Sequence, residues 1–219
     1  MDIALAPLTF TIVIATLAVT IVAFRNEALY ERLLMSIDEV LRRGQWWRML
    51  TAGLVHADWP HLLANMFSLF AFGTWLEHVI TSWRFGMLYV LGVLMASFAS
   101  LVIHRHAVDY RAVGASGGVC AVIGGATVIF PDSSIMVFPL PFGIPGWLFG
   151  ALFLVYSIVG AREQWDNVGH AAHLGGTIFG MGLMAAFYPA LALEHWLYVV
   201  VMAGAGLAAW VFVTRWRKR

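Results

Sequence analysis

The chain has 219 residues, of which 61% are hydrophobic and 11% are charged, and its mean hydropathy is +0.82. An average soluble domain is about 45–50% apolar and about 25% charged, so this composition excludes an ordinary soluble globular protein. The 13 basic and 12 acidic residues give a net charge of +1, which argues against nucleic acid as a partner. The single cysteine, Cys120, excludes an intrachain disulfide and any CxxC motif.

Seven segments predict an all-α polytopic membrane protein. A helix that crosses a bilayer needs about 20 mostly apolar residues, and each segment meets or approaches that length. No basic region precedes the first segment, so we do not interpret it as a cleaved signal peptide. In chain order, the predicted spans are residues 3–24, 61–80, 85–103, 116–130, 146–160, 169–188 and 196–214.

Two connections between the predicted spans carry structural information. In residues 25–60, leucine or isoleucine recurs every four positions from Leu29 to Leu41 among charged neighbours, which predicts an amphipathic helix lying in the interface. Residues 131–145 contain four prolines and are predicted to form an apolar loop, without a helix, on the membrane surface. The sequence shows no internal repeat.

Polar and ionisable side chains are costly inside spans and mark functional sites by default. Three groups of them occur at the starts of the second, fourth and sixth predicted spans. Because these three spans run parallel, their first residues should lie on the same side of the membrane. The groups are His56, His61 and Asn65; Ser116; and His170 with His173.

Ser116 stands in a Gly-Ala-Ser-Gly-Gly sequence at the start of a short span. Fifteen residues rise roughly 22 Å, less than the hydrocarbon thickness, so we expect this hydroxyl below the membrane surface and accessible from one side. An imidazole that accepts the serine proton would make it a nucleophile, and His173 is the natural candidate. The alternatives are that Ser116 only caps a packing helix and that His173 only hydrogen-bonds between helices.

Other residues bear on this hypothesis. Gly176 and Gly180 form a small-residue stripe that would let the sixth span approach the fourth closely. His61 and Asn65 lie on one helix face and can donate to an oxyanion. Asp166 lies two turns from His173, so a dyad is favoured over a triad. A metal site built from the histidines is the competing interpretation, but the sequence has no HExxH motif and no carboxylate at ligand spacing.

Four motifs occur in order along the chain, and together they resemble the rhomboid family of intramembrane serine proteases. The resemblance covers roughly residues 3–188. The motifs are Trp47-Arg48 in the first loop, His56 followed by His61-x-x-x-Asn65, Gly114-Ala115-Ser116-Gly117, and Ala172-His173 with Gly176 and Gly180.

The resemblance implies a role for each motif. Ser116 would be the nucleophile and His173 the general base and acid, while His61, Asn65 and the Ser116 amide would form an oxyanion hole. Glu77 corresponds to an acidic residue that the family often has at the far end of the second span. The first-loop residues Trp47 and Arg48 would be structural, and the residues that would support the site are His56, Gly114, Gly117, His170 and Gly176.

Two features depart from the family pattern. Cys120 occupies a position where the family usually has a tyrosine or phenylalanine that stacks on the catalytic histidine, so His173 must be positioned by other packing or less rigidly. We expect Cys120 itself to be a small buried hydrophobe rather than a reactive thiol. Twelve of the 13 basic residues lie on the side of the polar groups or in the tail, which by the positive-inside rule places the site in the cytoplasm, whereas the family resemblance places it outside. We adopt the family orientation.

The sequence therefore predicts a six-helix rhomboid core in residues 1–190, with a structured, membrane-associated first loop at 25–60. Residues 191–219 would add a seventh C-terminal transmembrane helix and a basic tail. The predicted function is cleavage of transmembrane protein substrates in the bilayer of an inner (plasma) membrane, with no metal or other cofactor. The alternatives are an inactive rhomboid-like protein that binds transmembrane clients and, with less support from the sequence, a transporter.

Overall fold

The computed structural model describes residues 6–136, 142–163 and 169–216, and within these only the backbone at 161–163, 209–210 and 212–216. Helices dominate the described residues, which confirms the all-α prediction. In chain order they are α1 (Pro7–Ala23), α2 (Glu27–Leu33), α3 (Ile37–Leu41), α4 (Arg48–Thr51), α5 (Trp59–Ile80), α6 (Ser82–His104), α7 (Ser116–Ile129), α8 (Gly146–Glu163), α9 (His170–Phe187), α10 (Pro189–Glu194) and α11 (Trp196–Trp216).

Two short antiparallel strand pairs accompany the helices. Strand β1 (Met35–Ser36) pairs with β2 (Arg111–Ala112), so the first loop is bonded to the segment that leads into α7. Strand β3 (Ser134–Met136) pairs with β4 (Gly143–Pro145) in the proline-rich connection between α7 and α8. The described part of that connection contains no helix, as predicted, and residues 137–141 lie outside the described residues.

Each of the seven predicted spans coincides with one of the longer helices, although their ends differ by a few residues. By length and hydropathy, α6 is the one helix within the described residues that is sufficient by itself to cross a bilayer. Shorter apolar helices in the described residues are Pro7–Ala23, Ser116–Ile129, Gly146–Gly160 and Trp196–Ala208. The helices α5 and α9 carry the polar groups described above, which lowers their hydropathy.

Helix α7 is the centre of the fold. All of its residues from Gly117 to Ile129 are buried, and it packs against α5, α6, α8 and α9. Small residues allow the backbones to touch: Gly176 of α9 lies against the carbonyl of Gly117, and Gly180 lies against the carbonyl of Ala121. A side chain at either glycine would collide with main chain, so the packing predicted from this stripe is confirmed.

The prediction of one amphipathic helix in the first loop is wrong. Helix α2 ends at Leu33 and strand β1 separates it from α3, because the chain turns to pair with β2. The residues of the predicted apolar stripe therefore do not share one face: Leu41 is exposed, whereas Ile37 is buried. A separate small core forms beneath the loop from Met35, Ile37, Val40, Met49, Ala52 and Leu101.

Glu77 joins the end of α5 to the beginning of α1. Its carboxylate is buried and accepts hydrogen bonds from the backbone N–H groups of Leu8, at 3.0 Å, and Thr9, at 2.7 Å. The hydroxyls of Thr9 and Ser82 also donate to it, at 2.7 and 2.5 Å. The first N–H groups of a helix lack partners within the helix and favour a negative charge. Glu77 thus caps α1 through a contact far apart in sequence.

Candidate active site

A cleft of about 1240 Å³ opens where the first turns of α5, α7 and α9 meet. The predicted site residues fall into two groups with respect to it. His56, Gly176, Trp47 and Arg48 do not line the cleft. Those that line it are His61, Asn65, Gly114, Ser116, Gly117, His170 and His173.

The first turns of α7 and α9 are in contact beside this cleft. A Cβ on Gly117, the residue after Ser116, would lie 3.9 Å from the carbonyl oxygen of Ala172, the residue before His173. The close approach of Gly176 to the Gly117 carbonyl is part of the same contact. The hydroxyl of Ser116 and the imidazole of His173 are therefore carried by adjoining helical turns that face the same cleft.

Helix α5 supplies His61 and Asn65. Asp58 caps the helix, because its Oδ1 accepts a hydrogen bond of 2.7 Å from the His61 N–H. One N–H of the buried Asn65 amide donates to the carbonyl of His61 at 2.9 Å. Both side chains belong to the cleft lining, with the Asn65 amide held against its own helix.

Gly114 lies against the His61 ring. Its φ is +117°, a conformation that residues with a side chain rarely adopt. A Cβ there would lie 2.6 Å from the Cε1 and Nε2 atoms of His61. Its N–H donates to the carbonyl of Ala52 at 2.9 Å, so the backbone that precedes Ser116 is fixed from the first loop.

His56 fixes the same backbone from behind the cleft. The ring is fully buried, and its Nε2 accepts a hydrogen bond of 3.1 Å from the N–H of Ala115. Nε2 therefore carries no proton and Nδ1 does, so Nδ1 donates to the Thr20 hydroxyl at 3.2 Å. That hydroxyl donates in turn to the carbonyl of Leu54 at 2.9 Å. The hydrogen bonds connect α1, the first loop and the residue before Ser116.

The surroundings of His56 favour its neutral form. Burial lowers the pKa of His56 to about 4, helped by the nearby His61 imidazole and opposed by the Asp58 carboxylate. The two imidazole centroids are 4.9 Å apart. A neutral ring at pH 7 is what the acceptor role of Nε2 requires, because an imidazolium can only donate.

Aromatic side chains of α8 contact the histidines of α9. The ring of Phe153 stacks on His173 with centroids 5.9 Å apart and planes 25° apart. Tyr156 meets His170 edge-on at 4.9 Å, and the two histidine rings are 6.2 Å apart. Phe153 and Tyr156 are themselves 6.3 Å apart. We call these four rings, Phe153, Tyr156, His170 and His173, the ring cluster.

Two small residues accompany the ring cluster. Gly160 of α8 lies against the His170 imidazole, so a side chain there would collide with it. Cys120 is buried, as predicted, and its thiol lies within hydrogen-bonding reach of Thr177. The Thr177 hydroxyl donates to the His173 carbonyl at 2.8 Å. The His173 ring is packed by an aromatic from α8, a contact that the sequence analysis did not find.

The first-loop motif contains one buried and one exposed residue. Arg48 is 7% exposed, and its guanidinium donates to the carbonyls of Glu31, at 2.6 Å, and Leu34, at 2.8 Å. It also donates to the Gln45 side chain at 2.6 Å. Trp47 is 52% exposed. The contacts of Arg48 hold the turns of the first loop together.

Ligand sets for a metal ion are absent from the part of the chain that the structure describes: no three His, Cys, Asp or Glu side chains there are grouped to hold one. Asp166 lies outside the described residues, and so do residues 164–168 of the connection between α8 and α9. The choice of a Ser–His dyad over a triad stays a prediction.

A chain with several apolar helices, and with a cleft that carries polar side chains at the starts of three of its helices, defines a polytopic α-helical membrane protein. The Rhomboid domain family model matches residues 43–190. This segment contains all four motifs of the sequence analysis. The chain belongs to the rhomboid family, so it is a multi-pass membrane protein, as the sequence predicted.

Curated relatives are similar over about two thirds of the chain. Rhomboid protein 1, mitochondrial, of Saccharomyces cerevisiae is 31% identical over 144 residues, which are 64% of this chain and 40% of the relative. Rhomboid protease GluP of Bacillus subtilis is 28% identical over 149 residues, 68% of this chain and 27% of the relative. Rhomboid-related protein 2 of Mus musculus is 32% identical over 149 residues, 65% of this chain and 48% of the relative. The matched segment spans less than half of each relative's length.

Proposed function

We propose that the protein is an intramembrane serine endopeptidase in which Ser116 is the nucleophile and His173 the general base. The observation that carries the proposal is the contact between the first turns of α7 and α9, which places both side chains on one cleft. The family membership and the relative named as a rhomboid protease support the same reaction class.

The proposed reaction has two half-reactions. His173 accepts the Ser116 hydroxyl proton while Oγ bonds to the scissile carbonyl carbon, and the resulting oxyanion receives hydrogen bonds from the proposed donors. These donors are the His61 ring, the Asn65 amide and the Ser116 N–H. The C–N bond then breaks, and His173 gives its proton to the leaving amine. Water attacks the acyl-serine with His173 again as base, which releases the acid product and restores the Ser116 hydroxyl.

The proposed substrates are transmembrane proteins cut in or beside their spanning segment. A helical peptide bond is protected by its own hydrogen bonds, so the substrate must unwind locally before attack. We propose residues 1–190 as the catalytic core and residues 191–219 as a C-terminal addition, which agrees with the end of the matched segment at residue 190. We further propose an inner (plasma) membrane location with the cleft on the extracytoplasmic side.

The test is cleavage of a model transmembrane substrate by the purified full chain in detergent. The wild type should cut the substrate, and Ser116→Ala and His173→Ala should each lose the activity while their melting temperatures stay close to that of the wild type. Cleavage by Ser116→Ala at the wild-type rate, or no cleavage by the wild type, would overturn the proposal. The second result together with retained substrate binding would identify a non-catalytic client-binding protein instead.

Orientation can be tested separately in cells. Alkaline phosphatase and green fluorescent protein fusions at residue 219 and within residues 131–145 report on opposite compartments. The proposed orientation predicts phosphatase activity from the tail fusion only if residues 196–214 complete a seventh crossing. Fluorescence from that tail fusion together with phosphatase activity at residues 131–145 would reverse the orientation.

A further inference from the structure

The feature behind this inference is the stacking of Phe153 on His173. Phe153 is carried by α8, whereas His173 is carried by α9, so the contact crosses between two helices. The centroid distance of 5.9 Å and the 25° angle between the planes correspond to an offset stack, a favoured aromatic geometry. Among the described residues of α8, Phe153 and Gly160 line the cleft, and Phe153 alone of the two has a ring.

The neighbouring helix offers no ring for the same purpose. Cys120 stands one turn after Ser116 on α7 and lines the cleft, but a thiol cannot cover an imidazole face. A second described ring against His173 is that of His170, which is nearly perpendicular to it at 74°. Of these two described rings, Phe153 is the one that lies along a face of the His173 imidazole.

From this geometry we infer that Phe153 is a positioning residue, which holds the His173 imidazole at the rotamer needed to take the Ser116 proton. The inference rests on the proposed function. Phe153 acts through His173 and has no role as an acid, base or nucleophile.

The Phe153 ring should attract His173 more strongly in the transition state than in the resting enzyme, because positive charge develops on the imidazole. When His173 takes the serine proton it becomes an imidazolium, and the face of an aromatic ring attracts a cation within about 6 Å of its centroid. An interaction that strengthens as the transition state forms raises kcat rather than lowering KM. A substitution that removes the ring but keeps apolar volume should therefore lower kcat with little effect on KM.

The anchoring of α8 explains how the stack is kept in place. The sulfur of Met202 on α11 packs against Gly150 of α8, where a Cβ would lie only 2.7 Å from it. Met202 is fully buried there. Trp147 of α8 also stacks on Tyr198 of α11, with centroids 6.1 Å apart. Phe153 thus extends toward His173 from a helix that is anchored against α11.

The test compares Phe153→Leu, Phe153→Tyr and the control Leu152→Ala in the full chain. Leu152 is next to Phe153 on α8 and is 54% exposed, so its substitution perturbs the same helix outside the cleft lining. We expect Phe153→Leu to lower kcat for a model transmembrane substrate by roughly 3- to 10-fold. Its KM should change by less than about 2-fold, and both other variants should stay within about 2-fold of the wild type.

A second measurement, labelling of Ser116, does not require a transmembrane substrate. The rate at which a fluorophosphonate labels Ser116 depends on activation of the serine and needs no unwound peptide. Phe153→Leu should slow this labelling by the same factor as kcat. If Phe153→Leu does not fold, Phe153→Met, which keeps a flexible apolar side chain without a ring, takes its place with the same expected result.

The inference is overturned if Phe153→Leu keeps the wild-type kcat and labelling rate, if only its KM changes, or if kcat falls as much in Leu152→Ala. If the wild type still cleaves and Ser116→Ala does not, any of these results overturns only the role of Phe153 and leaves the proposed function standing. Equal cleavage by the wild type and Ser116→Ala would instead remove the proposed function and this inference with it.

Discussion

The hydrogen bonds of the buried His56 predict how a substitution at this position changes the free energy of unfolding. Its Nε2 is the acceptor for the Ala115 N–H, and Ala115 is fully buried. His56→Phe keeps an aromatic ring but leaves that N–H without an acceptor, which costs about 1–3 kcal/mol. We expect the free energy of unfolding of His56→Phe to fall by that amount at pH 7.5. Cleavage should fall too, because Ala115 precedes Ser116.

The pKa of His56 predicts how the free energy of unfolding depends on pH. The pKa of His56 is about 4 in the folded protein and about 6.5 in an unfolded chain. The unfolded chain therefore binds more protons between these values, so the contribution to stability is fully present above pH 6.5 and is lost as the pH falls toward 4. The difference between the two pKa values corresponds to a contribution of roughly 3 kcal/mol to the free energy of unfolding. The stability gap between the wild type and His56→Phe should accordingly narrow from pH 7.5 to pH 4.5.

The measurement is reversible unfolding of the detergent-solubilised proteins by SDS, followed by circular dichroism at several pH values. The control is Thr20→Val, which removes the partner of Nδ1 but leaves Nε2 bonded to Ala115. It leaves the buried Nδ1–H without an acceptor and should cost about 1–3 kcal/mol, but it should keep the pH dependence of the wild type. A stability gap for His56→Phe that is constant over the whole pH range would refute the argument.

Three further substitutions test the contacts that hold the site, with the same unfolding measurement and the cleavage assay. Gly176→Val should prevent folding or cost more than about 3 kcal/mol because its side chain meets the Gly117 carbonyl. Gly182→Ala, whose Cβ would meet open space within the same helix, should lower neither the free energy of unfolding nor cleavage. Glu77→Gln weakens the cap of α1 and should cost about 1–3 kcal/mol, with the activity of the folded fraction retained. Arg48→Lys cannot reproduce the planar contacts with two carbonyls and should cost about 1–2 kcal/mol, and an unchanged stability would contradict this role.

The long helices were predictable because hydropathy over about 20 residues reports on burial in lipid irrespective of tertiary detail. The close packing of α7 with α9 was also predictable, since Gly176 and Gly180 repeat at helical spacing. The polar residues that line the cleft stood out for a similar reason. In a chain with 11% charged residues, a histidine or asparagine at the start of a span is conspicuous.

The sequence pattern failed where a contact between distant segments determines the structure. The spacing of leucine and isoleucine in the first loop predicts one amphipathic helix, but the strand pairing of Met35 with Ala112 interrupts that helix. Nothing local to residues 29–41 signals that partner. Phe153 was missed because one phenylalanine on an apolar helix looks like any other lipid-facing or core residue. Its contact with His173 depends on the rotation of α8, which hydropathy does not specify. Cys120 stands where the family usually has a tyrosine or phenylalanine, and from it the sequence predicted that His173 is positioned by other packing or less rigidly.

The central claim is that Ser116, activated by His173, cuts a peptide bond within the bilayer. The most direct measurement is the mass of the products released from a model transmembrane substrate reconstituted with the full chain in liposomes. We expect the wild type to make one cut in or next to the spanning segment, with no product from Ser116→Ala or His173→Ala. Intact substrate with the wild type, or the same products from Ser116→Ala, would contradict it.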